Sequence, residues 1–123
     1  MSNVFFIADT HFFHKNIIAY ENRPFKSVAQ MNKELIKNWN SVVKAKDKVF
    51  ILGDFCINAP EEALEVIEQL NGRKFLVKGN HDRASWRYLE LGFEEVYSYP
   101  ILYAGKYILS HRPLDSCKYI NLH

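Results

Sequence analysis

Four short segments of this 123-residue chain carry side chains that bind metal ions or move protons. They are Asp9-Thr10-His11, Gly53-Asp54, Gly79-Asn80-His81-Asp82 and Ser110-His111. Carboxylate, carboxamide and imidazole groups are oxygen and nitrogen donors of the hard to borderline kind. No cysteine stands among them, since Cys56 lies two residues beyond Asp54. Closed structural zinc sites usually draw on cysteine thiolates, so this donor set points away from one. It suits manganese, iron, zinc or nickel held by mixed donors. Each segment alone has a plainer reading. Asp-x-His is common at strand ends, Gly-Asp is a frequent turn, and an isolated His111 reads as a surface or hydrogen-bonded core histidine. Their conjunction is the signal.

Whether the four segments meet depends on the elements before them. "VFFIA" (4–8) is a short β-rich run that predicts a strand buried on both faces. Ser27 and Gln30 make a capping box, and Val28, Met31, Leu35, Trp39 and Val42 follow at helical spacing. "KVFILGD" (48–54) predicts a second buried strand. Asn58 and Pro60 open a helix whose inner face would be Leu64, Ile67 and Leu70, with Gly72 as its C-terminal cap. "KFLVKGNHD" (74–82) predicts a third strand, and "ASWRYLELG" a short helix closed by Gly92. "YPILYAGKYILSH" (99–111) predicts a hairpin turning at Ala104-Gly105-Lys106. Alternating strands and helices predict an α/β fold with parallel strands first. In such sheets ligands collect beyond the carboxyl ends of the strands, where all four segments fall.

Spacing within each segment has its own logic. Along extended backbone, residues i and i+2 point the same way, so Asp9 and His11 can share an ion. Asn80 and His81 are adjacent, point apart and should have different jobs. Gly53 and Gly79 stand where a larger side chain would crowd a sharp turn.

Composition excludes several classes. Hydrophobic residues make up 48% and charged residues 24%, the balance of a globular protein. The length predicts a single domain over 1–123. A net charge of +2 gives no footprint for nucleic acid. No run of about 18 apolar residues predicts a membrane span, and the N-terminus lacks the basic region of a signal peptide. Cys56 and Cys117 form no disulfide framework, which predicts thiols in a reducing compartment, by default the cytoplasm.

Asp9-x-His11, Gly53-Asp54, Gly79-Asn80-His81-Asp82 and His111 together resemble the calcineurin-like metallophosphoesterases in order, strand context and spacing. "ADTHFFHKNIIAYENRPF" further resembles the small bacterial and phage members. The resemblance spans nearly the whole chain and implies two packed β-sheets flanked by helices, an αββα arrangement. It implies a metal-dependent phosphoesterase with two divalent ions, manganese favoured among Mn, Fe, Zn and Ni. Asp9 and His11 would hold the first ion, Asp54 would bridge both, and Asn80 and His111 would hold the second. His81 would contact the phosphate and protonate the leaving oxygen, with Asp82 orienting its ring. A water shared by two ions about 3.5–4 Å apart loses a proton near neutral pH and supplies hydroxide. The substrate would be a phosphomonoester or phosphodiester, with nucleotides and nucleic acids among the partners. His14, Arg23 and Arg112 lie near ligand positions, where a phosphate contact competes with an ordinary surface role.

The family pattern ends in Gly-His-x-His, supplying one imidazole to each ion. Here the sequence stops at Asn121-Leu122-His123, just where that motif would begin. The expectation is therefore a domain lacking its last strands, with both ions short of a ligand. Three readings stay open: a truncated remnant, a longer protein of which these residues are part, or replacement by His123 or a neighbouring chain. An unpaired sheet edge invites pairing, which raises the expectation of a homodimer. Two other functions compete with the enzyme. One is an impaired remnant that binds a metal or partner without turnover. The other is a nucleic-acid module using Tyr88, Tyr97, Tyr99 and Tyr103 near Arg83, Arg87 and Arg112.

Overall fold

The computed structural model describes residues 2–56, 60–78, 92–114 and 118–123. Four strands, β1 (Val4–Ile7), β2 (Lys48–Leu52), β3 (Arg73–Val77) and β4 (Glu95–Tyr97), form one parallel sheet in that order. The register runs Phe5 to Val49 and Phe50 to Phe75. Among the described residues three helices join them: α1 (Lys15–Tyr20), α2 (Val28–Val42) and α3 (Pro60–Gln69). A second sheet holds β5 (Ile101–Tyr103), β6 (Tyr107–Leu109) and β7 (Ile120–Leu122). The expected α/β class with two helix-flanked sheets is what the chain adopts.

The alternation of β2 and β3 divides the core in two. Val49, Ile51 and Leu76 face α2 and α3, where they meet Trp39, Val43, Ala63, Val66, Ile67 and Leu70. Phe50, Leu52, Phe75 and Val77 point the other way, onto Leu109 and the second sheet. The rings of Phe50 and Phe75 stack with centroids 4.8 Å apart, and Tyr103 meets Phe50 edge-on at 5.0 Å. Strands filled on both faces must be apolar at every position, which explains the unbroken VFIL and FLV runs.

Several expectations need correction. β1 is not buried on both faces: Val4, Phe6 and Ile7 are 36–38% exposed. It is the outermost strand of its sheet, so the helices and second sheet that bury β2 cover it only in part, through Phe5 on one side and the edge contact of Phe6 with Tyr103 on the other. On α2 the buried side is Met31, Asn32 and Trp39, while Val42 is exposed and Val43 takes its place. On α3, Ala63, Val66 and Ile67 face the core and Leu64 turns outward. α1, β4 and β7 were not expected, because elements of three to six residues are too short to show a period. Asn58 and the predicted helix at 84–91 lie outside the described residues.

Other local signals translate directly. The Ser27 hydroxyl accepts from the Gln30 amide at 3.1 Å, and the Gln30 side chain accepts from Lys26 N–H at 2.7 Å. The hairpin turns at 104–106, with Ala104 and Gly105 at φ +55° and +64°. No helix among the described residues is long and apolar enough to cross a membrane.

Asp47, 2% exposed, ties three elements together. Its carboxylate accepts from the amides of Asn3 at 2.8 Å and Lys44 at 2.7 Å, and its carbonyl accepts from Arg73 N–H. These amides, Asn3 foremost, lower its pKa. Its contribution is thus present above 3.8, the ordinary value, and lost as pH falls through the lower folded value. Asp47→Asn should lower the urea midpoint at pH 7, and the gap from wild type should close on acidification below pH 3.8. A gap independent of pH would contradict this role.

Candidate metal centre

Past the end of β1 the chain stays bound to the segment that follows β2. Asp9 N–H donates to the Gly53 carbonyl (3.2 Å), His11 N–H to Asp54 (2.9 Å) and Phe12 N–H to Phe55 (2.8 Å). The Thr10 hydroxyl adds a bond to the Phe55 carbonyl at 2.9 Å. This segment is not extended, contrary to expectation. Asp9 and His11 have φ of +56° and +54°, and Gly53 and Asp54 have +88° and +48°. Asp and His tolerate the left-handed region better than most residues. Asp9 and His11 converge through two left-handed bends, not through a pleat.

Three strand ends meet here. The donor atoms of Asp9, His11 and Asp54 all lie within 4.8 Å of one another. From beyond β6, His111 brings Nε2 to 3.3 Å from Asp54 Oδ2 and Nδ1 to 3.6 Å from Asp9 Oδ1. His11 Nε2 stands 3.8 Å from the same Asp54 oxygen. Asp54 is therefore the shared carboxylate, flanked by an imidazole on each side and nearly buried. Gly79, Asn80, His81 and Asp82 lie outside the described residues.

Hydrogen bonds orient the rings. His111 Nδ1 is 3.1 Å from the Leu52 carbonyl, which can only accept, so Nδ1 carries the hydrogen. In the neutral ring Nε2 then presents its lone pair to Asp54. His11 Nδ1 pairs with His14 Nδ1 at 3.1 Å, leaving its Nε2 on the Asp54 side. Burial lowers the His11 pKa, against a smaller opposing pull from Asp54, so its neutral, ligating form persists below 6.5. An imidazole lone pair and carboxylate oxygens converging on one point make a cradle for a cation. Donors about 2.0–2.2 Å from a shared ion stand at separations like those of Asp54 from His11 and of Asp54 from His111. The residues present fit a divalent metal.

The supporting residues were mostly illegible beforehand. Arg23 turns to the backbone of the site loop. Its guanidinium donates to the carbonyls of Asp9 at 2.8 Å and Thr10 at 2.9 Å and pairs with Glu21 at 3.0 Å. His14 meets His11 instead of facing outward. Asn32 accepts from Phe13 N–H at 3.1 Å, and its only mark in the sequence is a polar residue beside Met31 on the inner side of α2. Asn121 in β7 accepts from Leu114 N–H and donates to the Ile108 carbonyl and Ser110 hydroxyl, bracing the segment that carries His111.

Gly53 is constrained twice. Its φ of +88° disfavours any side chain, and an added Cβ would lie 2.2 Å from His111 Nδ1 and 2.5 Å from Cγ. Gly53→Ala should cost about 1–2 kcal/mol in stability and displace His111. Mn²⁺ affinity in titration calorimetry should fall roughly tenfold or more. Unchanged affinity would contradict the placement of His111 in the centre.

Comparison with known proteins adds the family. The profile for calcineurin-like phosphoesterases matches residues 2–122. An uncharacterized protein of Methanocaldococcus jannaschii is 43% identical over 118 residues, covering 94% of this chain and 62% of that protein. The gene 66 protein of Mycobacterium phage L5 is 39% identical over 85 residues, covering 67% of this chain and 41% of its own. A crystal structure of an Aquifex aeolicus protein of unknown function superposes with a TM-score of 0.70 at 38% identity, over 89% of this chain and 60% of that one. The chain thus spans about three fifths or less of the length of these relatives. With its profile match running from end to end, the chain belongs to the calcineurin-like phosphoesterase family.

Proposed function

We propose that this chain carries the metal-binding core of a phosphoesterase that hydrolyses a phosphate ester with two divalent ions. The observation that carries the proposal is the convergence of Asp9, His11, Asp54 and His111 from three strand ends in a chain of this family. Asp9 and His11 would hold one ion, Asp54 would bridge, and Asn80 and His111 would hold the other. Manganese is favoured, since the donors are oxygen and imidazole nitrogen without thiolate. When bound, such ions supply Lewis acidity and positive charge at the phosphate.

The residues have separable tasks. Asp54, 6% exposed, contributes a negative charge that desolvation makes strong toward cations. The Leu52 carbonyl and the His14 ring fix which nitrogen of His111 and His11 faces the centre. Arg23 keeps the Asp9 and Thr10 carbonyls turned away, so their segment offers side chains to the site. His81 would hand a proton to the leaving oxygen, with Asp82 holding its ring.

Hydrolysis of bis(p-nitrophenyl) phosphate with added Mn²⁺ tests the proposal. Turnover should vanish with chelator and fall at least about 100-fold in Asp54→Asn, which keeps the shape and removes the charge. Because neutral His11 persists below 6.5, Mn²⁺ binding should hold at pH 6.5 and fail only on further acidification. Full activity in Asp54→Asn, or turnover indifferent to chelator, would refute it.

A further inference from the structure

Among the outer strands of the two sheets, β1 differs from β4, β5 and β7. Those three strands are three residues long. β4 carries the charge of Glu95, Pro100 stands directly before β5, and Asn121 sits within β7. Charge, proline and shortness are the usual guards against pairing at a sheet edge. β1 has four residues, Val4-Phe5-Phe6-Ile7, and none of them is charged or proline. Val4, Phe6 and Ile7 are 36–38% exposed, and Val42 of α2 close by is 56% exposed. A groove runs along each side of the strand. One of about 150 Å³ lies against Trp39 and Val42, and one of about 320 Å³ against Leu52 and Leu122.

The backbone of β1 sets what can bind there. The Asn3 carbonyl and the Asp9 amide both turn toward the β2 side, where they meet Lys48 and Gly53. Backbone groups alternate in direction along a strand. Phe5 and Ile7 therefore face β2 as well, and Val4, Phe6 and Ala8 face outward. Their N–H and C=O groups have no backbone partner among the described residues.

We propose that a second copy of this chain pairs here, antiparallel, about a two-fold axis at Phe6, joining the two four-stranded sheets into one. The outward residues are self-complementary in that arrangement. Phe6 of one copy exchanges both bonds with Phe6 of the other, and Val4 of each does so with Ala8 of the other. The side chains agree with this register. Phe6 lies beside its counterpart on the face toward the second sheet, where it already meets Phe50 and Tyr103. Phe5 lies beside Ile7 on the helix face. No like charges stand opposite each other along the seam, and a net charge of +2 per copy repels only weakly. An unrelated strand would have to bring a matching apolar segment, which a second copy already has. A standard interface takes about 800 Å² from each partner, about a tenth of the 7508 Å² surface of this chain. One four-residue strand with its flanking grooves offers less, so the dimer is weak and forms with rising concentration. The pairing does not depend on the phosphoesterase reading.

Sedimentation equilibrium should show reversible association of monomers into dimers with a Kd of roughly 10–100 µM. Amide exchange identifies the face. Val4, Phe6 and Ala8 should exchange quickly in dilute protein and slow at least about tenfold in concentrated protein. Phe5 and Ile7, bonded within the sheet, should stay slow throughout. Val4→Lys puts a charge at an exposed edge position and should weaken association about tenfold or more, with the circular dichroism spectrum unchanged. A monomer at every concentration up to about 1 mM would overturn the proposal, as would a dimer that protects other amides. Slow exchange of Val4, Phe6 and Ala8 even in dilute protein would overturn it too, since the edge would then be covered within one chain.

Discussion

The structure depends on the pairing of two loops. Three backbone hydrogen bonds join Asp9, His11 and Phe12 to Gly53, Asp54 and Phe55, so the parallel ladder of β1 and β2 continues past both strands. Phe12 and Phe55 then bury completely, their rings 5.2 Å apart, which anchors the paired loops in the helix-side core. With that pairing in place, Asp9, His11 and Asp54 have nowhere to go but toward one another. The left-handed backbone at Asp9, His11, Gly53 and Asp54 is strain of the kind that surrounding structure must hold in place. Arg23 does part of that holding, since the fixed fork of its guanidinium N–H donors binds two successive carbonyls at once.

The third contribution comes through the second sheet. β6 delivers His111 over the end of β2, close enough that only a glycine fits beneath its ring. β7 has no residue in the centre, yet Asn121 fastens the segment from Ser110 to Leu114 with both ends of its carboxamide. The inter-sheet aromatic packing of Phe50, Phe75 and Tyr103 fixes the distance between the sheets, and so the reach of His111. Core and site are thus coupled through a few contacts, not through a shared ligand.

The sequence spoke clearly where physics leaves a residue-type signature. A strand covered on both faces must be apolar throughout, so β2 and β3 are legible, and a donor immediately after such a strand falls at the carboxyl edge. Asp54 and His111 follow from that rule. Asp9 and His11 also arrive as expected, though through left-handed turns instead of a pleat, since nothing in Asp-Thr-His announces φ. β1 looks like β2 in composition, and only its place at the edge of the sheet distinguishes them. Arg23 could not be assigned because its partners are carbonyls, which every residue has. Asn121 and Asn32 escaped for the same reason: their tasks are defined by backbone groups far away in sequence.

The central claim is that donors from three strand ends form one divalent-cation centre. Backbone NMR during addition of substoichiometric Mn²⁺ tests it most directly, because the ion broadens nearby amides in proportion to proximity. The account predicts that amides of residues 9–11, 53–54 and 111 disappear first, while those of Lys106 and the α3 turn near Ile67 persist. Broadening that begins elsewhere, or spreads evenly over the acidic surface, would contradict it.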